Sequence, residues 1–343
     1  MHVPMRAARS GLHITNGDAT VPGLRGTGLA REILPWRDVL HEGPVPDIPE
    51  DELRRIRAAF LAGVSAREAA AVEREMAERD RTVAEHRDGA YVLWFEADLY
   101  DQLQIVEILA RLRQLEVPPE RVTLVCVGEH PGIARFAGLG QLGADQLRRL
   151  RESAATTLSP AALELAERAW RAFRAPDPAG LAEVVASVSP ELRFLGEAFD
   201  RLGREYPSRR DGLALSERRI LAAVADGAAT AGAAFVRAAA REARPFLGDS
   251  WAFERIRRLR HGDAPLLDAA PAAGAVMRDT GVRITAAGRR VLAGEDDHVA
   301  LNGVDRWIGG VRLSGRSVPW RWDDGVERVA VPSVHCDRPA RHR

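Results

Sequence analysis

Two short stretches of this chain set the strongest limits on its fold. Leu12-His-Ile-Thr-Asn-Gly-Asp18 and Tyr91-Val-Leu-Trp-Phe-Glu-Ala-Asp-Leu-Tyr-Asp-Gln102 each run as a brief apolar strand, stop on hydrogen-bonding residues and turn into a helix. Residues 91–95 and 122–127 are apolar without alternation, the pattern of strands covered on both faces in a parallel sheet. Between them Leu103, Val106, Leu109 and Leu112 form one helical stripe. Strand, helix, strand at this spacing predicts a βαβ unit with a right-handed crossover. The expected class is α/β: a small, mostly parallel sheet with flanking helices, then a helical linker and a winged-helix-like α+β module.

The remaining elements follow from punctuation and periodicity. Residues 32–34 predict a second strand, which Pro35 confines to a strand end or an edge position. Trp36-Arg-Asp-Val-Leu-His-Glu-Gly-Pro44 reads as a polar loop. Leu53, Ile56, Phe60 and Val64 mark one helix, and Ala69, Val72, Met76 and Val83 mark a second. The boundaries expected are an α/β ligand-binding domain at 11–145, a helical linker at 146–204 and a winged-helix-like module at 205–298. A docking segment at 299–331 and a disordered tail at 332–343 complete the chain. Within the module, helices are expected at 216–225 with Ser216 as cap, at 232–244 and at 250–260. A strand, turn and helix follow in Gly281-Val-Arg-Ile-Thr-Ala-Ala-Gly-Arg-Arg-Val-Leu292. In the docking segment Asn302-Gly303 is a candidate tight turn, and 311–313 is strand-like. Asp305, Arg306 and Trp307 suit either docking on another surface or an internal Asp–Arg bridge.

Composition excludes more than it selects. The 343 residues carry 49 basic and 49 acidic side chains, so no global field recruits nucleic acid or anionic membrane. All the basic ones are arginine, which rules out a Schiff-base lysine and a Walker lysine. Cys126 in an apolar strand and Cys336 in a polar tail predict no disulfide framework and a reducing, cytoplasmic setting. Residues 1–12 hold no apolar core of signal-peptide length, and no run approaches the ~20 apolar residues of a membrane span. The dinucleotide glycine fingerprint, the phosphate-binding Walker loop, the nucleophile elbow, the His-Glu-x-x-His motif and the Cys-x-x-Cys pair are all missing.

The candidate chemistry lies at four strand ends. Asn16, Gly17 and Asp18 follow the first, and Trp36, Arg37 and Asp38 follow the second, with Glu42 further along the loop. Glu96, Asp98, Asp101 and Gln102 follow the third, and Glu129 and His130 the fourth. A parallel sheet would raise all four sets from one edge into one crevice, where open α/β sheets bind ligands. Glu96 is the acid/base candidate, with Asp98 and Asp18 as further catalytic carboxylates. Arg37 is the candidate anion clamp and Gly17 the close backbone approach. Each also has a structural reading: Asp98 and Asp101 as a helix cap, Asp18 as a turn, Trp36 as a packed aromatic. A divalent metal on Asp18, Glu96, Asp98 or Glu129 is chemically reasonable, but the spacing is not diagnostic. In the C-terminal half, Trp251-Ala-Phe-Glu-Arg-Ile-Arg-Arg-Leu-Arg260 has the basic character of a helix that reads a major groove, or of a solvated surface.

Leu12-His-Ile-Thr-Asn-Gly-Asp18, Leu34-Pro-Trp-Arg-Asp-Val-Leu-His-Glu-Gly-Pro44 and Leu93-Trp-Phe-Glu-Ala-Asp-Leu-Tyr-Asp-Gln-Leu103 resemble the bacterial domain-of-unknown-function 1835 family over residues 11–140. Arg244-Pro-Phe-Leu-Gly-Asp249 and Leu301-Asn-Gly-Val-Asp-Arg-Trp307 are similar to the C-terminal region that accompanies it, the family numbered 3658. The resemblance implies that Asn16, Asp18, Trp36, Arg37, Asp38, Glu42, Glu96, Asp98, Asp101 and Gln102 are motif positions, and it assigns them no role. The functional expectation is a small anionic ligand, a nucleotide or phosphate-bearing metabolite, at the sheet edge, with transfer or hydrolysis as the reaction if the protein is an enzyme. The alternatives are a ligand-responsive DNA-binding regulator and a non-catalytic assembly protein. No cofactor and no oligomeric state is implied.

Overall fold

The computed structural model describes residues 11–270 and 274–330; the tail expected at 332–343, with Cys336, lies outside them. The chain divides into two compact units. One runs to Leu202 and includes Ala239–Gly248 and Arg306–Arg312, and the other comprises Gly203–Ala238, Asp249–Asp305 and the residues from Leu313. Among the described residues no helix is long and apolar enough to cross a membrane.

The first unit is built on a five-stranded sheet. Its strands are β1 (Leu12–Thr15), β2 (Glu32–Pro35), β3 (Tyr91–Glu96), β4 (Val122–Val127) and β5 (Ala155–Thr157), in the order β2-β1-β3-β4-β5. The first four are mutually parallel and β5 runs antiparallel to β4. β2 is an edge strand, the position that Pro35 requires, since proline donates no ladder hydrogen bond. β5 escapes sequence reading because Ala-Thr-Thr offers neither an apolar run nor alternation. Every residue of β1 and β3 is buried, as non-alternating strands covered on both faces must be.

The described residues of this unit form eight α-helices: α1 (Val21–Thr27), α2 (Glu50–Ser65), α3 (Ala69–Glu85), α4 (Leu99–Gln114), α5 (Ala144–Ser153), α6 (Pro160–Arg174), α7 (Leu181–Val185) and α8 (Leu195–Gly203). One face of the sheet places Val92, Trp94, Val125 and Val127 against Leu24 of α1 and Leu147 and Leu150 of α5. The central helix α4 packs along β3 and α6, burying Ile105, Val106, Ile108 and Leu109. Residues 146–202 fall within this unit, with α6 packed on α4, and Gly203 and Arg204 fall in the other.

The second unit contains α9 (Leu215–Ala225), α10 (Ala231–Ala239) and α11 (Asp249–Leu259), with the antiparallel pair β6 (Leu267–Ala270) and β7 (Gly281–Ile284), then α12 (Ala286–Ala293) and α13 (His298–Asn302). An isolated bridge joins Thr230, ahead of α10, to Gly281 of β7. α9 begins one residue earlier than expected, and the Glu217 carboxylate accepts the Ala214 N–H at 2.9 Å. Ser216 is no cap; its hydroxyl donates to the buried Glu205 at 2.7 Å. α10 stops at Ala239, short of the 244 expected from its alanine content. Asn302-Gly303 is no hairpin turn: it ends α13, with Gly303 at φ 75°. The tight turn is Gly309-Gly310, between β8 (Val304–Ile308) and β9 (Val311–Gly315). A last pair, β10 (Arg321–Asp323) and β11 (Arg328–Ala330), closes the described chain.

Buried arginines hold the loops of the first unit. Arg57 of α2 is 1% exposed and pairs with Asp38, also 1% exposed, at 2.5 Å. The same guanidinium donates to the carbonyls of Glu42 at 2.7 Å and Val39 at 3.0 Å, closing the loop after β2. Arg174 of α6 donates to the carbonyls of Pro46 and Ile48. The hairpin tip completes the loop: the Val45 N–H donates to the Gly309 carbonyl at 2.8 Å, and the Gly310 N–H to that of Phe173 at 2.9 Å. A β-carbon on Gly310 would overlap the Arg174 carbonyl, so only glycine fits.

Removing one member of a buried ion pair leaves the other charge uncompensated. Arg57→Leu should lower unfolding stability by about 3–5 kcal/mol in urea titrations. Arg55→Leu, which breaks the exposed α2 pair with Asp51, should leave the midpoint nearly unchanged. Equal losses in the two variants would contradict this account.

Candidate functional site

The strand order places a reversal between β1 and β3: the chain leaves β1 for β2 on one side and returns to β3 on the other. Loops at such a reversal diverge and open a crevice at the carboxyl ends of the strands. Thr15 pairs with Trp94, so Asn16, one residue past β1, lies beside the end of β3. Its amide nitrogen donates to Glu96 Oε2 at 2.7 Å and to Asp101 Oδ1 at 2.9 Å. The backbone of Asn16 is fixed in turn by the Tyr100 hydroxyl, which donates to its carbonyl at 3.1 Å.

The third strand end supplies the acids. Glu96 is the last residue of β3, and its second oxygen, Oε1, accepts the Leu139 N–H at 2.5 Å. Asp98 is the N-cap of α4, accepting the Asp101 N–H at 3.2 Å. Asp101, fully buried in the first turn, accepts the backbone N–H of Glu96. Carboxylate oxygens of Glu96, Asp98 and Asp101 all lie within 4.8 Å of one another. Among the described residues these three are the group whose spacing can hold a metal ion.

Three carboxylates this close cannot all ionise freely. Burial raises the pKa of Glu96, against the hydrogen bonds from Leu139 and Asn16 that lower it. Burial and then the Glu96 charge push Asp98 up to about 7. Burial, Glu96 and Asp98 together hold Asp101 well above the carboxylate range. The three therefore titrate as one coupled group, at higher pH than isolated carboxylates.

Beside it lies an open cleft of about 330 Å³ lined by Glu96, Asp98, Gly128, Phe136, Gly138 and Arg244, among others. Two glycines shape its walls. A β-carbon on Gly138, at φ 140°, would come 2.9 Å from Glu96 Oε1. One on Gly128 would overlap Arg244 Nη1. Arg244 is steadied by Glu197, 2.9 Å from its Nε, and stacks on Phe194 at 4.7 Å. The cleft thus brings one guanidinium and the carboxyls of Glu96 and Asp98 into a single lining.

The other residues singled out in the sequence do not line this cleft. Asp18 and Arg37 form a bidentate pair at 2.6 and 2.8 Å, 66% and 56% exposed, so the Arg37 fork is already occupied. Gly17 needs no left-handed φ, and a β-carbon there would meet nothing within 4 Å. Trp36 is fully buried: its indole donates to Glu107 at 2.7 Å, and Arg79 stacks on it at 3.7 Å. Asp38 is the partner of Arg57, and Glu42 is buried in the loop that Arg57 closes. Gln102 is buried beneath the site and donates to the Glu96 carbonyl at 2.8 Å. Glu129 is exposed, while His130 lies against Phe136, with ring centres 6.2 Å apart. In the second unit Arg255 faces inward, 2.9 Å from Glu205, and Arg257 and Arg258 share Glu254. Gly128, Phe136, Gly138 and Leu139 carry no local signal in the sequence and Arg244 appears there only as a motif position; all five come to the acids only through the tertiary fold. The chain matches no protein-family model and no curated protein.

A carboxyl whose pKa is raised by folding keeps its proton where the unfolded chain has lost it, so stability falls as pH rises through that window. For Asp98 the window runs from 3.8 to about 7. Asp98→Asn keeps an N-cap oxygen and removes this titration. Urea midpoints recorded across that range should decline less steeply with pH in Asp98→Asn than in the unsubstituted protein. Parallel curves would refute the shared-proton account.

Proposed function

We propose that this protein binds a small anionic molecule in the cleft at the ends of β3 and β4 and exchanges protons with it, as a transferase or hydrolase would. The observation that carries this reading is the lining itself: Glu96, Asp98 and Arg244 border one cleft. A carboxyl with a pKa near 7 is matched to proton transfer at neutral pH, and Asp98 meets that condition. Glu96 is held by Asn16 and Leu139, so its orientation is set before a ligand arrives. Asn16 and Asp101 act through Glu96 and are positioning residues. Arg244 takes the anion-anchoring role first considered for Arg37, whose fork serves Asp18.

The same carboxylates offer oxygen ligands to a hard divalent cation, which would supply Lewis-acid polarisation and neutralise their charge. The alternative, a winged-helix-like module in the second unit that reads DNA, has the helix–helix–helix–hairpin order and the Thr230–Gly281 bridge in its favour. Against it, α11 buries Arg255 and neutralises Arg257 and Arg258 with Glu254, which leaves little charge for phosphates.

A thermal-shift panel of nucleotides, sugar phosphates, carboxylates and divalent metals checks this reading. At least one anion is expected to raise the melting temperature, with the rise lost in Arg244→Gln and altered in its pH dependence in Asp98→Asn. Equal shifts in those variants, or none with any compound, would sink the proposal.

A further inference from the structure

A second guanidinium shares the aromatic ring on which Arg244 stacks. Arg193, exposed just ahead of α8, stacks on Phe194 at 4.6 Å, and Arg244 stacks on the same ring at 4.7 Å. The charge of Arg193 also reaches the Cys126 thiol on β4, two residues before Gly128, where it opposes the effect of burial. Two cations grouped around one aromatic ring repel each other unless an anion lies close to both. Glu197 meets part of that need through Arg244 Nε, while Arg193 forms no ion pair among the described residues.

We propose that the anionic group taken by this cleft is the phosphoryl group of a small phosphomonoester, and that Arg244 and Arg193 together select it. This rests on the cleft being the ligand site and names the class of molecule that fills it. The argument is one of valence. A planar carboxylate carries one charge and is saturated by a single arginine fork. A phosphoryl group offers three outer oxygens and nearly two charges at neutral pH, enough for both guanidinium groups. Arg244 is preorganised by Glu197, Phe194 and the missing β-carbon of Gly128, so little side-chain freedom is lost when it binds.

Calorimetric titration of the full chain with inorganic phosphate and with acetate tests the assignment. Phosphate should bind more tightly than acetate, and Arg244→Gln should weaken phosphate by about tenfold, the loss of one charge-assisted contact. Arg193→Gln should weaken phosphate and leave acetate unchanged, a split that misfolding would not produce. Arg81→Gln, on the exposed outer face of α3, serves as the control and should change neither. Acetate binding as tightly as phosphate, or phosphate affinity retained in Arg193→Gln, overturns the proposal. A carboxylate or neutral ligand that binds in an Arg244-dependent way while phosphate does not would remove the phosphoryl assignment and keep the cleft as a site. No binding by any class would remove both.

Discussion

Three carboxylates held within 4.8 Å of one another are the constraint around which the first unit is organised. Left alone, such a group would repel itself apart or draw water in. Here Asn16 bridges two of the acids, the Leu139 N–H holds one from the opposite side, and the α4 cap orders the third. Each of these donors comes from a different segment of the chain. The sheet must be parallel and in this order for β1 and β3 to end side by side. Burial and mutual repulsion raise the pKa values of all three, and this links the arrangement to chemistry: Asp98, pushed up to about 7, can both hold and lend a proton near neutrality.

A chain without lysine makes arginine do all the work of buried positive charge. Arg57 and Arg174 are each buried with several carbonyl acceptors, and Arg79 lies over Trp36 beside Glu107. A planar guanidinium with five donors satisfies such a set, where an ammonium point charge would not. These arginines knit the loop after β2 to α2, α6 and the Gly309-Gly310 turn. They account for motif residues that looked functional: Trp36 and Asp38 serve this scaffold. The division is consistent, in that residues on β2 and its loop hold structure while those on β1 and β3 meet the cleft.

In the second unit the same economy of charge works against a nucleic-acid surface. Glu205 holds both Ser216 and Arg255 inside, and Glu254 occupies two arginines of α11. A run of basic residues in a sequence carries no information about the acids that will face it. The folded chain supplies those acids from α11 itself and from a residue 50 positions away.

Local patterning alone decided the class of fold, the four parallel strands and the helix between β3 and β4, because periodicity and non-alternating apolar runs report burial residue by residue. It also located Asn16, Glu96, Asp98 and Asp101, since polar residues that end a buried strand have few places to go. Only the tertiary structure separated Arg37, paired with Asp18, from Arg244, which faces the cleft, and turned Trp36 inward. It also brought Gly128, Gly138 and Leu139 to the acids and placed the hairpin turn at Gly309-Gly310. The physical reason is one of range: helix and strand signals act over a few residues, whereas the partner of a charge is chosen across distances in sequence that no local pattern records.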